Sequence, residues 1–119
     1  MDKRPKVLYV DDEQINLRVF EISFADNFEL TTAQNGVEGL NILENDPLLN
    51  LVLSDLKMPG LDGIEFIQKA KERFPGKKYF LLSGFEITPE IQELLDNGLI
   101  DNYIQKPFNK KEIEEKLQA

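Results

Sequence analysis

The stretch Leu51-Val-Leu-Ser-Asp-Leu-Lys-Met-Pro-Gly-Leu-Asp-Gly63 carries an apolar run straight into one carboxylate, Asp55, and then into a loop marked by Pro59, Gly60 and Gly63. A short aliphatic run bounded by turn residues reads as a strand buried on both faces, as in parallel sheets. Its last residue then stands at the carboxyl edge of the sheet, where open α/β folds bind their ligands. A turn-forming Asp is the ordinary alternative. The flanking sequence decides between the two.

Working outward, other apolar runs end the same way. Lys6–Val10 runs into Asp11-Asp12-Glu13, Tyr79–Ser83 ends on a hydroxyl with Gly84 behind it, and Tyr103–Gln105 leads into Lys106-Pro107-Phe108. Phe28–Ala33 reads as a more polar strand, hence nearer a sheet edge. Between the strands lie helical spacings. Gln14–Ala25 carries Ile15, Val19 and Ile22, with Phe20 or Phe24, as its apolar positions. After an Asn35-Gly36 turn, Val37, Leu40 and Leu43 mark a second helix that stops before Pro47. Ile64, Ile67, Ala70 or Lys71, and Phe74 mark a third, ending at Pro75-Gly76. Thr88-Pro89 opens a fourth, with Ile91, Leu94 and Leu95 inward and Asn97-Gly98 at its end. Asn109 caps a fifth, with Glu112 placed for a capping box and Ile113 and Leu117 on one face. Strict β–α alternation with short connections predicts an α/β domain spanning 1–119: a doubly wound, flavodoxin-like, five-stranded parallel sheet, order 2-1-3-4-5, with no output domain.

Composition narrows the chemistry. The 119 residues carry a formal net charge of −8, which disfavours contact with nucleic acid. There is no cysteine and no histidine. Thiol nucleophiles, zinc-thiolate sites, histidine triads and a phosphohistidine within the chain are therefore excluded. No secretory leader pattern opens the chain, and no run approaches the roughly 20 apolar residues of a membrane span. A cytoplasmic location without membrane contact is the expectation.

The predicted sheet delivers Asp11, Asp12, Asp55, Ser83 and Lys106 to one edge, flanking the point where the strand order reverses. Each has a plain reading alone: helix-start acids, a turn hydroxyl, a surface lysine. Together they make a crevice. Clustered carboxylates raise one another's pKa unless a cation intervenes, and a hard ion, Mg²⁺ above all, takes oxygen ligands and tolerates phosphate in its shell. With Lys106 and Ser83 to hold an anion, the set contains the parts for phosphoryl transfer to a carboxylate. Glu13 and Asp62 read as a helix-start acid and a turn former.

These motifs resemble those of the response-regulator receiver domains of two-component signalling. Val-Asp-Asp-Glu at 10–13, Ser-Asp-Leu-Lys-Met-Pro-Gly-Leu-Asp-Gly at 54–63, Leu-Ser-Gly at 82–84 and Tyr-Ile-Gln-Lys-Pro-Phe at 103–108 occur in order, and the likeness runs from Lys6 to the last helix. The resemblance implies that Asp55 is the phospho-acceptor. It implies that Asp11, Asp12, Asp55 and the Lys57 carbonyl hold Mg²⁺, that Ser83 and Lys106 contact the phosphoryl group, and that Tyr103 is the switch aromatic, turning inward when the Ser83 hydroxyl moves. It further implies a cis Lys106-Pro107 bond. A histidine kinase or histidine phosphotransfer protein would be the donor, and a downstream protein would bind the last two helices and strand five. Where receivers often read Ala-Gly-Ala-Asp, this chain has Gly98-Leu99-Ile100-Asp101.

Two rival classes are a receiver-like binding module that never takes phosphate and an aspartate-nucleophile phosphohydrolase. The latter needs Asp-x-Asp after its first strand, whereas Asp11 and Asp12 are adjacent.

Overall fold

The computed structural model describes residues 4–118. Strands β1 (Lys6–Val10), β2 (Glu29–Ala33), β3 (Leu51–Asp55), β4 (Lys78–Ser83) and β5 (Asn102–Gln105) alternate with helices α1 (Gln14–Phe24), α2 (Gly36–Asn45), α3 (Gly63–Arg73), α4 (Pro89–Asp96) and α5 (Lys110–Gln118). All strand pairings are parallel, and the order is β2-β1-β3-β4-β5, as the alternation predicted.

Alternate strand residues point to opposite faces, and this produces two cores. Val7, Tyr9, Leu53, Phe80, Leu82 and Ile104 pack with residues of α1 and α5. Leu8, Val10, Val52, Leu81 and Tyr103 pack with residues of α2, α3 and α4. Both sheet faces are therefore dry, which is why the central strands are apolar without alternation.

Helix α1 buries a face other than the predicted one, and α2 departs from its predicted face at one position. In α1, Ile15, Val19 and Ile22 are exposed, at 76%, 57% and 71%, and Leu17, Phe20 and Phe24 are buried. The aromatic set prevails because its rings find partners: Phe20 lies 4.4 Å from the Tyr9 ring and 4.5 Å from Phe24. In α2, Leu43 is buried and Leu40 packs against the core as expected, but Val37 is exposed, and Gly36 and Gly39 complete the inward face. A Cβ on Gly39 would come within 2.9 Å of the Phe66 ring, so a missing side chain sets the approach of α2 to α3.

The caps follow the sequence closely. Thr88 Oγ1 accepts from the Ile91 amide at 3.2 Å, and Asn35 Oδ1 accepts from Glu38 at 2.8 Å. Asn109 accepts from the Glu112 amide at 2.7 Å, with the Glu112 carboxylate turned to Lys116 at 3.3 Å. Asp62, read as a turn former, is the N-cap of α3 and forms a full capping box with Glu65. At 98–101 the bulky pair is accommodated: Ile100 is buried, and the Asp101 carboxylate accepts from the Tyr79 amide at 2.8 Å.

Candidate functional site

Each strand hands its last residues to the same edge. The Asp11 amide donates to Ala33 O at 3.1 Å, the Leu56 amide to Leu82 O at 2.9 Å, and the Lys106 amide to Ser83 O at 2.7 Å. These bonds extend the ladders one step past the strands and fix Asp11, Asp55, Ser83 and Lys106 relative to one another. The backbone approach is closest behind Asp55. The Gly63 amide donates to Leu56 O at 2.8 Å, and a Cβ at Gly63 would lie 2.2 Å from the Asp55 carbonyl oxygen. Only glycine permits α3 to begin there.

Asp11, Asp12 and Asp55 each present a carboxylate oxygen such that the three lie within 4.8 Å of one another. Lys106 Nζ donates to Asp55 Oδ1 at 3.0 Å and stands 3.9 Å from Asp11 Oδ2. Asp11 is fully buried and Asp12 exposed. The Asp55 carboxyl is raised above its ordinary value, mainly by burial. The hydrogen bond from Lys106 opposes that rise, and the charge of Asp11 adds to it. Three oxygen donors with an unfavourable charge balance suit a hard divalent cation, and Mg²⁺ fits that donor set.

Sequence reasoning missed three residues here. The buried Tyr9 hydroxyl donates to Asp11 Oδ2 at 2.7 Å, and Asn16 Nδ2 donates to the same oxygen at 3.2 Å. Asp11 Oδ1 accepts from the Glu13 amide at 3.0 Å, so the start of α1 is satisfied by the Asp11 carboxylate rather than by Glu13. Phe85 is the third. Its amide donates to Ser83 Oγ at 3.2 Å, its carbonyl accepts from the Tyr103 hydroxyl, and its ring lies 4.5 Å beneath Lys57 Nζ.

Ser83 is buried at the end of β4. Tyr103, expected to turn inward when the hydroxyl shifts, is inward already at 3% exposure. The Phe85 carbonyl satisfies its hydroxyl there, so burial carries no unpaired polar group. The Lys106-Pro107 bond is cis, as the resemblance implied. Asp55, Asp11, Asp12 and Lys106 thus converge directly, Ser83 joins them through the backbone, and Tyr103 reaches Ser83 by way of Phe85.

The family model described as the response regulator receiver domain matches residues 7–118. The hydrogenase transcriptional regulatory protein HoxA of Cupriavidus necator is 31% identical over 90% of this chain, which spans 22% of that protein. A transcriptional regulatory protein of Bacillus subtilis, YesN, is 33% identical over 95% of the chain, which spans 31% of it. Sporulation initiation phosphotransferase F of Bacillus subtilis is 29% identical, with 95% of this chain and 90% of that protein aligned. Among solved structures, the response regulator protein TrrA of Thermotoga maritima, in complex with Mg²⁺-BeF, superposes with a TM-score of 0.81 at 28% identity, covering 95% of this chain and 96% of that one. A receiver domain protein of Methanospirillum hungatei gives a TM-score of 0.86 at 31% identity, covering 98% and 92%. The acid crevice at the switch point of a 2-1-3-4-5 sheet and the match over 7–118 agree: this chain belongs to the response regulator receiver domain family.

Proposed function

We propose that this receiver domain accepts a phosphoryl group on Asp55 and uses it to reset a protein-binding surface. One observation carries the reading. Asp55 stands at the switch-point edge with the Lys106 ammonium 3.0 Å from its oxygen and two further carboxylates beside it. A nucleophile, a fixed cation and an acid cluster are thereby in one crevice.

An Asp55 carboxylate oxygen attacks phosphorus in line, and the bond from phosphorus to the donor's imidazole nitrogen or acyl oxygen breaks. The electron pair leaves with the donor. Lys106 pairs with the incoming phosphoryl oxygens and offsets their charge. Asp11, Asp12, Asp55 and the Lys57 carbonyl would hold Mg²⁺, which supplies charge neutralisation and alignment when bound. The hydroxyl of Ser83 turns from the Phe85 amide to a phosphoryl oxygen. Because Phe85 also receives the Tyr103 hydroxyl, that rotation reaches β5, and with it the face formed by α4, β5 and α5. These 119 residues contain no histidine, so a histidine donor lies in another molecule or domain, of the histidine kinase or phosphotransfer class. The likeness to a phosphotransferase and to a regulator solved with Mg²⁺-BeF supports this reading.

Intact-mass spectrometry after incubation with acetyl phosphate, with and without Mg²⁺, tests it. The expected result is a Mg²⁺-dependent gain of one phosphoryl group in the wild type and none in Asp55→Asn. No gain from acetyl phosphate or from a phosphorylated histidine kinase, with the fold intact, overturns the reading in favour of a phosphate-independent binding module.

A further inference from the structure

We propose that Tyr9 is a specificity-determining residue that leaves Asp11 a single free acceptor position and thereby selects Mg²⁺ over Ca²⁺ in the crevice. The inference rests on the metal reading above and deepens it.

Tyr9 is the fourth residue of β1, and Asp11 follows two residues later on the same face. The phenol ring is 2% exposed and fixed in the aromatic cluster, 4.4 Å from Phe20. Held there, the hydroxyl reaches along the strand to Asp11 Oδ2 at 2.7 Å. Asn16 Nδ2, one turn into α1, reaches the same oxygen at 3.2 Å. A carboxylate oxygen has two lone-pair positions, and these donors occupy both on Oδ2. The Glu13 amide takes one on Oδ1 at 3.0 Å. One position remains.

That remainder discriminates between cations. Ca²⁺ takes about six to eight oxygens in a loose shell and readily uses both oxygens of one carboxylate. Mg²⁺ requires a tight octahedron, to which each carboxylate gives a single oxygen and water the remainder. An Asp11 confined to one acceptor position meets the second requirement and not the first. An apolar residue in place of Tyr9 would fill the same core without burying a hydroxyl. The hydroxyl is paired only because Asp11 is there.

The test uses the full chain with no phosphoryl donor present. Dissociation constants for Mg²⁺ and Ca²⁺ are measured by titration calorimetry for wild type, Tyr9→Phe, Asn16→Ala and the double variant, with urea unfolding as the control for folding. The wild type is expected to bind Mg²⁺ more tightly than Ca²⁺. Tyr9→Phe keeps the ring and frees a lone pair, so the Ca²⁺-to-Mg²⁺ ratio of dissociation constants should fall about tenfold, the scale of a lost outer-shell partner. The double variant should fall further. A role in packing alone would shift the urea midpoint and leave the ratio unchanged. An unchanged ratio in a folded Tyr9→Phe, or in Asn16→Ala should the first not fold, overturns the inference while the proposed function stands. A wild type that binds both ions equally also overturns it. No Mg²⁺ binding at all overturns the metal reading itself.

Discussion

Tyr103 on β5 donates its hydroxyl hydrogen to the carbonyl of Phe85, in the loop that follows β4. The bond joins the edge strand to the segment that also caps Ser83, and it does so from a ring with 3% exposure. Removing the hydroxyl leaves the Phe85 carbonyl without that donor. Tyr103→Phe should lower stability by about 1 kcal/mol, the usual net value of such a bond. Urea denaturation measures the loss, and amide exchange at 84–87 should quicken with it. Unchanged exchange in that segment would show that the bond does not hold the loop.

Asp55 links stability to pH. Its carboxyl lies above the ordinary 3.8 in the folded chain, chiefly through burial. As pH rises through the unfolded value, the unfolded chain releases this proton while the native state retains it, so stability falls until the folded pKa is passed. The penalty then persists at neutral pH. In chelator, Asp55→Asn should therefore be more stable than wild type at pH 7, and the advantage should fade as pH drops to about 3. An equal difference at both ends would reject the burial argument. Added Mg²⁺ should recover stability in the wild type, by about 1.4 kcal/mol at ten times its Kd.

The buried face of α1 can be tested by a pair of truncations. Phe20 is 2% exposed against Tyr9 and Phe24, so Phe20→Ala should cost about 3–5 kcal/mol. Ile22 is 71% exposed, and Ile22→Ala should change stability by less than about 0.5 kcal/mol. Comparable losses in chemical denaturation would return Ile22 to the core.

At the start of α3, even a methyl group is too much. Gly63→Ala would place a Cβ 2.2 Å from the Asp55 carbonyl oxygen, and backbone must move to relieve it. We expect a loss of about 2–3 kcal/mol, the upper range for overpacking. Amide shifts of Asp55 and Leu56 should move well beyond those of β2. Wild-type shifts at Asp55 would mean that α3 alone absorbs the change.

Much of the fold was legible because parallel strands buried on both faces announce themselves as apolar runs, each ended here by a polar residue. The same rule exposed Asp11, Asp12, Asp55, Ser83 and Lys106. What stayed hidden had specific causes. Helix α1 carries two apolar stripes at helical spacing, one aliphatic and one aromatic, and periodicity does not rank them; the partners of Phe20 do. Tyr9 reads as core in an apolar run, because its hydroxyl matters only once Asp11 is known to lie on the same strand face. Phe85 acts through its amide and carbonyl, which every residue but proline offers, so its identity carries no signal for those two bonds. Gly36 and Gly39 pack by what they lack, and hydrophobic spacing does not register a missing side chain.

The outermost position of β5 has a consequence for the crevice as an electrostatic object. Lys106 follows a four-residue strand that pairs only with β4, whereas Asp11 and Asp55 extend from the interior strands β1 and β3. Edge strands fray at lower free energy than the sheet centre. When β5 loosens, the cation departs and the acids remain, so a crevice already richer in carboxylates than in cations becomes more negative still. Under the proposed function, the order of this short edge strand therefore sets how strongly the crevice repels an incoming anion.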